Sequence, residues 1–257
     1  MILTDTHTHL YVSQFDDDRD AAISRAFEEG VSRLFLPNID ETSVEGLMAL
    51  SKQYPGKCFP MMGLHPCSVG PDLEKHLQTI ETHLFNKQNA FCAVGEIGLD
   101  YYWDTTYQNE QIETFKTQIE WAKQLGLPIV IHCRDAFRAI IDVLSELKDE
   151  KLNGVFHCFT GSLAEAHEVI DLGFYLGIGG VVTFKNSGLG EVVSQIDLKH
   201  LVLETDSPYL TPSPYRGKRN ESSYLKYIAE KVAEVKQITL EEVAEKTTAN
   251  SISLFKV

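Results

Sequence analysis

Eight short apolar runs recur along this chain, at 1–5, 34–37, 58–64, 91–95, 128–132, 155–159, 174–179 and 201–203. Each is too short for a buried helix, and most are rich in Val, Ile, Leu or Phe, the composition of strands covered on both faces. Around and after them, residues 18–29, 42–53, 73–85, 109–124, 136–147, 163–172, 222–235 and 240–254 carry apolar side chains three and four apart, one face of a helix. Gly30, Gly126 and Gly173 stand just past three of these segments, where a left-handed residue ends a helix. Thr239 with Glu242 spells a capping box for the last one. Strand and helix alternating eight times in 257 residues predicts an α/β fold, a (β/α)8 TIM barrel in a single domain over 1–257. An open doubly wound sheet is the alternative, but no GxGxxG follows the first run.

Hydrophobic residues make up 43% of the chain, enough to fill a core and to exclude a disordered protein. The formal charge of −14 argues against binding nucleic acid by bulk charge, though it leaves room for a nucleic-acid substrate held by metal ions and a few local cations. No apolar run approaches the ~18 residues of a membrane span, and residues 1–7 lack the basic start and apolar stretch of a leader. The five cysteines are odd in number and include no CxxC pair, so neither a disulfide framework nor a thiolate zinc site is expected. A cytoplasmic location, a monomer and no membrane partner are the expectations.

Chemistry-bearing residues gather where the strands end. His7 and His9 follow the first run and alternate on one face. Glu96, His132, His157 and Asp206 stand at or just past runs four, five, six and eight, and His65 ends run three. The carboxyl ends of the strands are the rim on which barrel enzymes build their sites. His76, His83, His167 and His200 fall elsewhere and read as surface groups. A carboxylate buried alone at a barrel mouth would be costly, and two cations supply the compensation. Imidazole and carboxylate without thiolate suit Mg²⁺, Mn²⁺ or Zn²⁺. His7, His9, Glu96 and Asp206 are assigned to one ion and Glu96, His132 and His157 to the other, with Glu96 bridging.

These residues sit in motifs that occur in order along the chain: DTHTHL at 5–10, GLHP at 63–66, GEIGLDYY at 95–102, HCRDA at 132–136, HCFTGS at 157–162, ETDSPYL at 204–210 and YRGKRNE at 215–221. Together they resemble the TatD family of metal-dependent deoxyribonucleases, within the amidohydrolase-like barrel superfamily, from the first strand to the last helix. The resemblance implies metal ligands at His7, His9, Glu96, His132, His157 and Asp206. It also implies hydrolysis of DNA phosphodiesters, as a 3′-5′ exonuclease on single-stranded ends. Two positions depart from the family pattern. Cys67 stands where a second histidine often follows His-Pro, and Ser222 where proline often follows Asn-Glu. Both lie outside the ligand set and bear on substrate fit. A glutamate at 96, with no lysine beside it, also sets the chain apart from related barrels that bridge their ions with a carboxylated lysine.

The expected mechanism is attack by a metal-activated water, with Glu96 and Asp206 as the catalytic carboxylates and Asp206 accepting the nucleophile's proton. Arg216, Lys218 and Arg219, three cations in a loop of an acidic chain, are read as phosphate contacts, as are Arg134 and His65. Glu204 reads as an orienter of a ligand histidine. The aromatic run Tyr101, Tyr102 and Trp103 could stack on unpaired bases or pack a long loop. Two other readings stay open: a two-metal esterase, amidase or deacylase, and a non-enzymatic nucleic-acid-binding scaffold with structural metals.

Overall fold

A computed structural model describes all of residues 1–257. The chain alternates β1 (Leu3–Asp5), α1 (Arg19–Glu28), β2 (Val31–Leu36), α2 (Val44–Gln53), β3 (Cys58–Pro60), α3 (Leu73–Leu84), β4 (Val94–Asp100), α4 (Gln108–Leu125), β5 (Ile129–Arg134), α5 (Phe137–Leu147), β6 (Gly154–Phe156), α6 (Leu163–Asp171), β7 (Tyr175–Ile178), α7 (Leu189–Gln195), β8 (Leu201–Leu203), α8 (Leu225–Lys236) and α9 (Leu240–Phe255). Neighbouring strands pair in parallel as β1-β2-β3 and as β4-β5-β6-β7-β8. Two seams close these ladders into the expected (β/α)8 barrel. At one, Met62 N donates to Ala93 O (3.2 Å) and Gly95 N to Met62 O (3.1 Å). At the other, Thr6 N donates to Leu203 O (3.0 Å) and His9 N to Ser207 O (2.8 Å).

Gly30, Gly126 and Gly173 all take positive φ just past their helices, and Thr239 and Glu242 cap α9 reciprocally. Two features differ from the sequence reading. The fourth strand is not 91–95 but Val94–Asp100, so Glu96 lies within it. Its glycines resemble turn residues, yet Gly98, at φ +141, pairs with His132, and a Cβ there would collide with the His132 carbonyl. Glycine thus lets the strand continue rather than stop. Helix α7 was not anticipated. At seven residues it is too short to show a helical period, and Gly190 packs it against Val235 of α8.

The main core lies between strands and helices and includes Leu34, Ile97, Phe115, Ile140, Leu176 and Ile228. A second apolar cluster, Phe35, Met61, Val130, Val155 and Val202 with Leu254 and Phe255 of α9, fills the barrel at the amino ends of its strands. No helix is long and apolar enough to cross a membrane.

Candidate metal centre

The barrel brings His7, His9, His65, Glu96, His132, His157 and Asp206 together at the carboxyl ends of the strands. Glu96 is buried at the centre, and its two oxygens face different partners. Oε2 lies 3.1 Å from His7 Nε2 and 3.7 Å from His9 Nε2. Oε1 lies 2.8 Å from both His132 Nδ1 and His157 Nε2, and 3.3 Å from His65 Nε2. Asp206 Oδ1 stands on the Oε2 side, 3.5 Å from His9 Nε2 and 3.8 Å from His7 Nε2. The rings of His7 and His157 stack with centroids 3.8 Å apart.

Local backbone aims these groups. Asp135, Cys158 and Asp206, at or just beyond the ends of β5, β6 and β8, all sit at φ between 46° and 56°. A non-glycine residue in that region costs of order 1 kcal/mol and turns the chain sharply out of its strand. Asn220 holds the Asp206 loop from both sides, donating to Thr205 O (2.8 Å) and Tyr209 O (2.6 Å). On α4, the buried Gln118 and Gln111 lie seven residues apart on one face and clamp two rim segments. Gln118 accepts from Leu64 N (2.7 Å) and donates to Leu64 O (3.2 Å), fixing the residue before His65. Gln111 makes the same pair of bonds to the backbone of Asp100.

Hydrogen bonds around the cluster assign the imidazole protons. Tyr11 gives its only proton to Pro37 O, so its oxygen accepts from His9 Nδ1 (2.9 Å) and leaves the His9 Nε2 lone pair facing Glu96 and Asp206. His132 donates from Nε2 to Asp100 Oδ2 (2.8 Å), which turns Nδ1 toward Glu96. His65 has the opposite arrangement. Its Nδ1 accepts from Cys67 N (3.1 Å), so its proton sits on Nε2, and it enters the site as a hydrogen-bond donor. His157 points Nδ1 toward Glu204 Oε1 (3.4 Å), an oxygen that also accepts from Cys158 N (2.6 Å). Gly177 leaves the space in which the Glu204 carboxylate lies.

Burial alone would raise Glu96, but the surrounding imidazoles, His157 foremost, and the bond from His132 outweigh it and hold this carboxylate well below its usual range. Asp206 follows the same balance, with burial overcome by His9, 3.5 Å away, and by the charge of His157. Burial would lower His157 and His132, but Glu96 and Glu204 hold the former charged, and Asp100 and Glu96 the latter. His7 is pushed down by burial and by the charge of His157.

Divalent cations fit this cluster. Glu96 lies within 3.1 Å of a nitrogen of His7, His132 and His157, a set of imidazole and carboxylate donors that a divalent cation can share. His7 Nδ1, His157 Nδ1 and Glu204 Oε2 are buried without a hydrogen-bond partner. His7 Nε2 and His9 Nε2 face one another at 3.2 Å, beside a carboxylate. Three triads place their ligand atoms together: His7–His157–Asp206, His7–His9–Glu96 and His65–Glu96–His132.

The cluster opens into a cleft of about 640 Å³, lined also by Trp103, Arg134 and Tyr209. The basic loop is placed elsewhere. Arg216 stacks on Phe184, 3.6 Å from its ring, and Lys218 lies over Tyr215. Arg219 meets Asp18 with two bonds of 2.6 and 2.9 Å, and neighbouring Glu221 pairs with Arg25 at 2.6 Å. None of the three cations lines the cleft. The motif at 215–221 fastens the loop after β8 to α1 and the segment before it. Charge clustering in the sequence had no means of showing that the loop's acidic partners lay two hundred residues away. Tyr11, Asp100, Gln111, Gln118 and Asn220 were also missed as supports of the site. The signal that could have found the two glutamines is their spacing on the buried face of a helix.

The family model described as TatD related DNase matches residues 4–256. The chain is 42% identical, over the whole of both chains, to the uncharacterized metal-dependent hydrolase YabD of Bacillus subtilis. It is 33% identical, over 98% of each chain, to the 3′-5′ ssDNA/RNA exonuclease TatD of Salmonella typhimurium. Among solved structures, the TatD homologue YJJV of Escherichia coli matches 99% of this chain and 98% of its own, with a TM-score of 0.93 at 27% identity. The Escherichia coli phosphotriesterase homology protein, solved with phosphate in its active site, shares the fold with a TM-score of 0.74 at 14% identity over 98% of each chain.

Proposed function

This chain belongs to the TatD-related DNase family of metal-dependent hydrolases, and from that premise we propose that it hydrolyses phosphodiester bonds at the 3′ ends of single-stranded DNA with two divalent ions. One observation carries the reading: the two oxygens of the buried Glu96 face two separate sets of imidazoles. His7, His9, Glu96 and Asp206 would hold one ion, and Glu96, His132 and His157 the other. Mg²⁺ or Mn²⁺ suits turnover, and Zn²⁺ fits the same donors. When bound, such ions lower the pKa of water and neutralise charge on the phosphoryl oxygens.

The chain's own groups supply the rest. Asp206 is held charged, 3.5 Å from His9, so it can take a proton from the attacking water. His65 presents its Nε2 proton to the site, where it can donate to a phosphate or leaving-group oxygen. Glu204 steadies His157 from behind. Arg134, at the cleft, is the cation of this set placed to meet a phosphate. Every group comes from one chain, so a monomer suffices, with residues 1–257 acting as one hydrolase domain.

End-labelled single-stranded DNA tests this directly. Wild-type protein with Mg²⁺ or Mn²⁺ is expected to shorten the strand from its 3′ end, to stop in EDTA and to recover when the ion is restored. Asp206→Asn should keep the fold and lose about 10²–10⁴-fold in turnover. Cleavage confined to carboxylic esters would reject the substrate class, and full activity of Asp206→Asn would reject its role as proton acceptor.

A further inference from the structure

Beyond Asp100 the chain leaves β4 and carries two aromatic side chains to the mouth of the cleft. Trp103 is 69% exposed and Tyr102 53%, whereas the other tryptophan, Trp121, is buried. Trp103 lines the same cleft as Glu96 and Asp206. The two rings stand edge to face, with centroids 4.9 Å apart at 88°. Arg134 sits in the angle between them, its guanidinium 3.7 Å from the Tyr102 centroid and 5.2 Å from that of Trp103. No carboxylate of the chain pairs with it, so its N–H groups are left for a ligand.

This arm is tied to the metal centre through one carboxylate. Asp100 Oδ1 accepts from the backbone N–H groups of Tyr102 (3.0 Å) and Trp103 (3.2 Å), while Oδ2 accepts from His132. The imidazole that faces Glu96 and the backbone that carries the indole therefore share an anchor. A group stacked on Trp103 is held at a set distance from the reacting centre.

Resting on the nuclease reading above, we propose that Trp103 and Arg134 form a nucleotide subsite at the cleft mouth. The indole stacks on an unpaired terminal base, and the guanidinium, braced by Tyr102, takes the adjoining phosphate. Stacking tolerates any base, because every base has a π face, and an unpaired base is free to turn onto the indole, whereas one in a duplex must first break its pair. A preference for single-stranded ends follows from the subsite itself.

Two measurements test it independently. Titrating the protein with dAMP should quench tryptophan emission through Trp103, while deoxyribose 5-phosphate, which has no base, should not. Separately, wild-type protein should cleave a strand ending in a normal nucleotide about tenfold more efficiently than one ending in an abasic residue. That ratio should fall to near one in Trp103→Ala and return in Trp103→Phe. Equal or absent quenching by the two ligands, or a ratio that persists in Trp103→Ala, would overturn the subsite even if DNA is cleaved. Quenching by dAMP alone, with no cleavage of either strand, would uphold the subsite and reject the nuclease reading.

Discussion

The two ends of the barrel are lined by the same strands and could hardly differ more in chemistry. Along β5 and just past β6 and β8, inward-facing positions two residues apart pass from Val130 to His132, from Val155 to His157 and from Val202 to Glu204. At the amino end these valines meet Phe35 and Phe255, whose ring centroids lie 4.4 Å apart, in a buried apolar plug. At the carboxyl end the next inward residues are imidazoles and a carboxylate, half-buried at His132 and buried at His157 and Glu204, where one polar atom of each lacks a hydrogen-bond partner. Burial of apolar surface at one end stabilises the fold by about 25 cal/mol per Å². It offsets the cost of holding charge out of water at the other. The pleat that sets the side-chain direction serves both ends, and residue type alone assigns one to stability and the other to chemistry.

Substitutions at each end should separate these roles. The largest effect is expected at the rim: Glu96→Ala should lower turnover by at least about 10³-fold, beyond the 10–100-fold typical of a supporting residue. It should also reduce the number of Mn²⁺ ions taken up, as read by metal analysis, while the urea midpoint shows no comparable fall. Next, Phe255→Ala should cost about 3–5 kcal/mol of stability by opening a cavity in the plug. Turnover per folded molecule should stay at the wild-type value, and a parallel loss of activity would break the division between the ends. A smaller change is expected from Asp100→Asn, which keeps the shape but weakens the hold on the His132 Nε2 proton. Chelator competition should show Mn²⁺ affinity lower by about 10–100-fold.

The smallest effect concerns the strap that fastens the rim from outside. Asp18 is held below its usual range by its hydrogen bonds to Arg219 and Arg25. Its folded pKa is depressed, so its contribution is present above the unfolded value near 4 and fades as pH falls toward the folded one. At a half-exposed position this amounts to under about 1 kcal/mol. Asp18→Asn should therefore unfold earlier in urea at pH 7, by a margin that shrinks steadily below pH 4.

The strap also marks the boundary of what the primary structure discloses. His7 and His9 could be placed because two residues on one strand face must point together, and the rim positions of Glu96, His132, His157 and Asp206 followed from counting strands. His65 was legible as a rim residue, but its role as a donor depends on the Cys67 backbone N–H folding back onto Nδ1. Arg219 misled for the converse reason. A basic loop in an acidic chain invites a phosphate, and only the folded chain shows Asp18 and Glu221 in contact with it. Arg134 was placed at the rim by sequence, yet its setting between two aromatic rings came from the loop's path.

Periodicity was enough to predict a barrel, with an open sheet as the alternative, and to number the strands that reach the rim, since the recurrence of apolar residues along strands and helices is a local consequence of backbone geometry. The split of Glu96's two oxygens between two groups of imidazoles, the proton on each ring and the dispersal of the basic loop were left to the tertiary structure. These depend on distances between residues far apart in the chain, and such distances are defined only once the barrel has closed.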